Sequence, residues 1–208
     1  MAEEPIAINI ALVPDAPLRE RARALNARLR GDYPAGFPLD ESHVPHLTLC
    51  QAFVRRAALG EIWLAVEAIP VESSLRITGL DYFPKARLGT AGYEVARPGW
   101  LDEAHQAATG AVRPFALADG EDRAFVTTAE EPQISESTLN YVRSFFDQHA
   151  GEHFNPHITL GSAHAEFLDA LCGEDFSPFD FGLEAIAVFQ LGDHGTCRRL
   201  LFERRLRM

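Results

Sequence analysis

The stretch "HVPHLTL" at residues 43–49 is answered by "HFNPHITL" at residues 153–160. Both copies read Pro-His-aliphatic-Thr-Leu. Proline suits the first position of a strand, where a missing N–H is tolerated. Side chains in a strand alternate between faces. His46 and Thr48 therefore share one face, as do His157 and Thr159, while Leu47, Leu49, Ile158 and Leu160 point the other way. Each copy offers one imidazole and one hydroxyl on a sheet face backed by aliphatics. A single His-x-Thr is a weak signal. Packing explains the aliphatics in both copies, but it does not explain a His and a Thr in both.

The flanking sequence repeats its order as well. Residues 6–14 ("IAINIALVP") alternate and are rich in β-branched residues, which predicts a strand. Residues 15–31 place apolar positions Leu18, Ala22, Leu25 and Leu29 at helical spacing behind Asp15, a fitting N-cap, and Gly31 ends the run. After the strand at 45–54 come a helix at 57–69 and two strands at 74–84 and 89–97. Helices at 99–112 and 135–151 follow, with Ser135 or Thr138 as cap. Then come a strand at 156–163, a helix at 165–173, and strands at 179–192 and 196–206. "GTAG" and "GDHG" read as hairpin turns rather than phosphate loops, because no helix follows them directly.

Helix, His-strand, helix, strand, strand thus occurs twice. The expected fold class is α+β: a bilobal pseudo-two-fold duplication, each lobe a small antiparallel sheet with helices on its outer face. Residues 1–208 form a single bilobal domain in this reading. The first lobe spans about 6–97 with His46 and Thr48, and the second about 98–208 with His157 and Thr159. Residues 113–134 lack periodicity and read as an insertion, either a mobile cover or plain surface.

Facing the two copies across a groove between the sheets gives a chemistry. One neutral histidine takes a proton from an attacking water or hydroxyl, and the other, protonated, gives one to the leaving oxygen. Histidine suits both roles because it titrates near neutral pH. The two threonine hydroxyls donate to phosphoryl oxygens, where charge builds up. This scheme needs no metal and no cofactor.

The totals narrow the partners. The chain has 208 residues and a net charge of −11. That balance argues against an extended grip on nucleic acid, which needs many phosphate contacts, but allows a small phosphate ester in a local pocket. The charge is uneven: "RRLLFERRLRM" at the end is basic and residues 119–131 are acidic. No apolar run reaches the length of a membrane span, and the N-terminal apolar segment is too short for a signal core. Cys50, Cys172 and Cys197 lack CxxC spacing and read as reduced thiols of a cytoplasmic protein. Nothing in the sequence sets the oligomeric state.

"HLTL" and "HITL", with the repeated order of elements and the closing strand–turn–strand at 185–206, resemble the paired signatures of the 2H phosphoesterase superfamily. That superfamily includes 2′-5′ RNA ligase-like proteins and cyclic nucleotide phosphodiesterases. The resemblance covers most of the chain. It implies a metal-independent phosphoesterase acting on a cyclic phosphodiester or a 2′-5′ linkage of a nucleotide or RNA end. His46 and His157 would then be the catalytic pair, and Thr48 and Thr159 the phosphate-binding pair. The long gap between motifs and the acidic charge favour a small substrate. The alternative is a non-catalytic module of the same fold that binds a nucleotide or RNA end.

Other residues are weighed beside these. His43 and His153 read as rim histidines; a zinc site would need a third ligand at suitable spacing. Arg198 and Arg199 alternate on the last strand, so either one can reach a phosphate. Tyr82, Phe83 or Tyr93 can stack on a base, or pack in the core. Strict alternation puts Cys50 on the His/Thr face as a small filler, and Gln51 off it unless a bulge intervenes.

Overall fold

The structure is a computed structural model and describes residues 4–206. Thirteen helices and strands carry the architecture. They are β1 (Pro5–Pro14), α1 (Ala16–Asp32), β2 (Leu47–Arg55), α2 (Leu59–Val66), β3 (Ser74–Lys85), β4 (Leu88–Val95), α3 (Gly99–Val112), β5 (Ala116–Leu117), α4 (Glu136–Gln148), β6 (His157–His164), α5 (Ala165–Cys172), β7 (Phe179–Leu191) and β8 (Cys197–Arg205). Every strand and helix expected from the sequence is present.

Local chemistry sets the helix starts. The Asp15 carboxylate accepts from Leu18 N at 3.0 Å, and its second oxygen accepts from Gly182 N at 2.8 Å. The cap therefore also ties α1 to β7. Ser135, rather than Thr138, is the residue that caps α4. Along α1 the buried stripe is Leu18, Ala22, Leu25, Asn26 and Leu29, one face of the helix.

The strands pair in the order β1-β2-β6-β4-β3-β7-β8, all antiparallel, and β1 also pairs with β7. The α+β class is as expected, and strands of the two halves are hydrogen-bonded into one sheet. β4 pairs with β6 from the second half, β3 pairs with β4 and with the start of β7, and β1 and β2 share a run with β7 and β8. The physical reason is β7, which is long enough to pair with β3 through residues 179–182 and with β1 and β8 beyond them. "GTAG" is corrected: residues 89–92 lie inside β4, and the β3–β4 turn is at Ala86 and Arg87.

The two motif strands share one irregularity. In β1–β2 the register jumps from Ile10↔Cys50 to Ala11↔Thr48, leaving Leu49 extra. In β4–β6 it jumps from Ala91↔Gly161 to Gly92↔Thr159, leaving Leu160 extra. Each is a β-bulge, which inserts one residue and re-aims the side chains beyond it. Gly161 follows the second bulge with φ +142, and a Cβ there would lie 2.7 Å from Asn26 Nδ2. Only glycine fits that position comfortably.

The main core packs Ile6, Ile8, Ile10 and Leu12 of β1 with Leu47, Leu49, Ile158 and Leu160, all fully buried. A second cluster joins Phe53 and Leu191 to Leu139 and Val142 of α4 and to Ala124 and Phe125. Residues 113–134 are therefore packed structure and not loose surface: β5 pairs with β2, and Val126 N donates to Leu191 O at 2.8 Å. No helix among the described residues is long and apolar enough to cross a membrane.

Candidate active site

The motif strands meet at one bridge, Leu47↔Ile158. These are equivalent positions, each directly after its motif histidine. With the strands antiparallel, that register sets His46 toward Thr159 and Thr48 toward His157. All four side chains line one cavity of about 310 Å³, a size suited to a small ligand.

Both rings are held in the same way. His46 Nδ1 lies 2.7 Å from Val44 O, and His157 Nδ1 lies 2.8 Å from Asn155 O. A carbonyl can only accept, so each Nδ1 carries the proton and donates. That leaves Nε2 of each ring for the cavity. Burial lowers the His46 pKa to about 4; the Val44 carbonyl opposes this and the nearby His157 charge adds to it. Burial also lowers the His157 pKa, against the pull of the Asn155 carbonyl. An anion between the rings would favour protonation of both.

The threonines differ. Thr48 Oγ1 accepts from Asn9 Nδ2 at 3.0 Å, which leaves its own O–H to donate elsewhere. Thr159 has no side-chain hydrogen bond among the described residues and faces the same cavity.

Other walls come from outside the motifs. α4 supplies Ser137, Thr138 and Tyr141, with His149 directly after it, and Tyr141 and His149 are stacked at 4.0 Å. Burial pushes the Tyr141 phenol up to about 12. Phe37 stacks with His194 at 5.6 Å on another side, and Phe83 lies 5.5 Å from the His157 ring. Asp193 fastens this frame. Its Oδ1 accepts from Thr138 Oγ1 and Ser135 Oγ, both at 2.6 Å, tying α4 to the β7–β8 turn.

Several expectations resolve here. Phe83 reaches the cavity, whereas Tyr93 is in the core and Tyr82 donates to Asp169 at 2.6 Å outside it. Arg198 is ion-paired with Glu131, and Arg199 Nη1 lies 3.5 Å from Gln190 Oε1; neither lines the cavity. His43 is corrected from rim to interior. It is 5% exposed, with Nδ1 2.9 Å from Asp40 and Nε2 3.2 Å from Glu131. Burial pushes the Asp40 carboxyl up, but hydrogen bonds from His43 and Ser42 outweigh it and bring the pKa down to about 2. His153 does line the cavity and is exposed. Among the described residues, no group of three or more His, Cys, Asp or Glu side chains could hold a metal ion.

Cys50 and Gln51 exchange sides relative to strict alternation. The bulge at Leu49 turns Cys50 into the core, where burial pushes its thiol pKa up, and turns Gln51 into the cavity. Ser162 is placed likewise on β6, beyond the bulge at Leu160. The bulges have no clear mark in composition, though Gly161 was the available hint for the second. The α4 wall left no signal in the motifs at all.

The chain shares its fold with solved structures that are 16–17% identical to it. The chain is similar to TT0787 of Thermus thermophilus, with a TM-score of 0.59 and 17% identity over 97% of this chain and 98% of that one. It is similar to Escherichia coli LigT in complex with 3′-AMP, with a TM-score of 0.56 and 16% identity over 99% of each chain. A third solved structure, of a protein described as a phosphoesterase, gives a TM-score of 0.53 at 17% identity over 99% of this chain and 100% of that one. No protein-family model matches the chain, and no curated protein does.

Proposed function

We propose that the protein is a metal-independent phosphoesterase that opens a cyclic phosphodiester or cleaves a 2′-5′ linkage of a nucleotide or short RNA end. The observation that carries this reading is the pair of matched imidazoles, His46 and His157, each donating through Nδ1 to a carbonyl two residues back and sharing one cavity. LigT solved with 3′-AMP, and with ATP, supports a small nucleotide ligand for a fold of this type.

His46 has the pKa lowered to about 4, so it is the neutral base at working pH. It takes the proton of the attacking water as the new P–O bond forms. His157, also lowered but without a neighbouring charge to push it further, holds its proton in the presence of the anion. It gives that proton to the ribose oxygen as the old P–O bond breaks, and the product is a phosphomonoester. Thr48 and Thr159 donate to the non-bridging oxygens, where charge grows.

The test is turnover of a panel of 2′,3′-cyclic nucleotides and 2′-5′ dinucleotides with EDTA present. Hydrolysis of at least one class is expected. Saturable binding with no product would instead support a binding module. Thr48→Val and Thr159→Val remove one donor each and should lower kcat/KM by roughly 10- to 100-fold, with the fold unchanged by circular dichroism. Unaltered kinetics in both would remove the threonines from the mechanism.

The pH dependence follows from the directions of the shifts. A lowered histidine is neutral over most of the acid range, so the base limb of catalysis survives to low pH. The acid role fails as pH rises through the lowered value for His157. The kcat/KM profile should be bell-shaped with its maximum on the acid side of neutral. The kcat profile should shift to higher pH, because bound phosphate stabilises both imidazolium forms. An optimum above about pH 8 in both profiles would contradict the assignment.

A further inference from the structure

Gln51 is 3% exposed, lines the cavity beyond Thr48, and its Oε1 has no hydrogen-bond partner among the described residues. A buried amide oxygen without a donor is costly and unusual in a folded protein. The position is built. The bulge at Leu49 turns the side chain into the cavity, and Gly195 of the β7–β8 turn closes beside it, where a Cβ would lie 3.5 Å from Gln51 Nε2.

Its cross-strand neighbour shares the condition. Asn9 pairs in register with Gln51 and is fully buried. Asn9 Nδ2 is used by Thr48 Oγ1 and Cys197 Sγ, while Asn9 Oδ1 likewise has no partner among the described residues. Of the two, only Gln51 lines the groove, so its amide oxygen is the one that awaits a donor there. A phosphoryl group at neutral pH presents acceptors, so it does not satisfy that oxygen. A hydroxyl or an amino group does. The β6 end is different: Ser162, the counterpart of Gln51, already has the Thr90 hydroxyl 3.4 Å away.

We propose that Gln51 is a specificity-determining residue: its side-chain amide accepts a hydrogen bond from a hydroxyl or amino donor on the nucleoside part of the ligand, seating that part at the β2 end of the groove beneath α4. The inference rests on the phosphoesterase reading of the same cavity. It adds the direction in which the nucleotide lies, with the donor-rich nucleoside toward Gln51 and Tyr141.

The test is calorimetric binding of 3′-AMP and of inorganic phosphate, in EDTA, to wild type, Gln51→Met and Gln51→Asn. Met matches the shape without the polar atoms, and Asn keeps the amide but shortens its reach, so Asn serves if Met does not fold. Each variant should weaken 3′-AMP by about tenfold, while phosphate affinity changes less than about twofold. Equal weakening of both ligands, or unchanged 3′-AMP binding, overturns the role of Gln51 and leaves the phosphoesterase reading standing. A wild type that binds neither ligand overturns both.

Discussion

Alanine at His46 or at His157 should lower kcat/KM on the cognate phosphodiester by roughly 10²- to 10⁴-fold, whichever ring is removed. The two losses should not add. A proton must be taken on one side of phosphorus and given on the other, so the double variant should be little worse than the poorer single one. Glutamine at either position should do no better than alanine, because it keeps a polar contact but does not titrate. Cavity histidines outside the motifs serve as internal controls. His149 is stacked on Tyr141 and His194 on Phe37, so alanine there should cost far less. Steady-state kinetics with EDTA decides the matter. Near wild-type rates in either motif variant would mean that the groove works through other groups.

The largest effect on stability is expected at Asn26. This residue is 3% exposed and occupies the seam between α1, the loop before β2 and the β6 bulge. Its Nδ2 donates to Phe37 O at 3.0 Å and Leu160 O at 2.8 Å, and its Oδ1 accepts from Leu39 N at 2.9 Å. Leucine has a similar volume but would leave all three backbone groups buried and unpaired. At about 1–3 kcal/mol for each such group, partly relieved by relaxation, Asn26→Leu should cost about 3–5 kcal/mol. Chemical denaturation at equilibrium measures this directly. A loss below about 1 kcal/mol would show that the seam is wet or adjustable. Because Leu160 is the bulge residue of β6 and Phe37 lines the cavity, a folded remnant of the variant should also bind ligand poorly.

Much of this site is legible in the sequence for one reason. Period-two alternation holds from His46 to Leu49 and from His157 to Leu160, so the face shared by the histidines and threonines follows from spacing alone. Legibility stops where the register does. The inserted residues Leu49 and Leu160 look like ordinary strand aliphatics, and only Gly161, beside the second, hints at a bulge. Gln51 and Cys50 change sides as a result. The grouping of strands was hidden for a different reason. Which strands pair is a long-range choice that the repeated order of elements does not state. β7 runs past both β1 and β3 and joins the halves. His43 shows the same limit. Its burial depends on Glu131 and Arg198, which are remote in sequence, so no reading of residues 43–49 alone could place it inside.

The most direct test of the central claim is a crystal structure of the protein with inorganic phosphate or 3′-AMP. Phosphorus is expected between His46 Nε2 and His157 Nε2, with Thr48 Oγ1 and Thr159 Oγ1 each within about 3 Å of a non-bridging oxygen. A phosphate bound elsewhere in the cavity, with the two Nε2 atoms turned away from it, would contradict that claim.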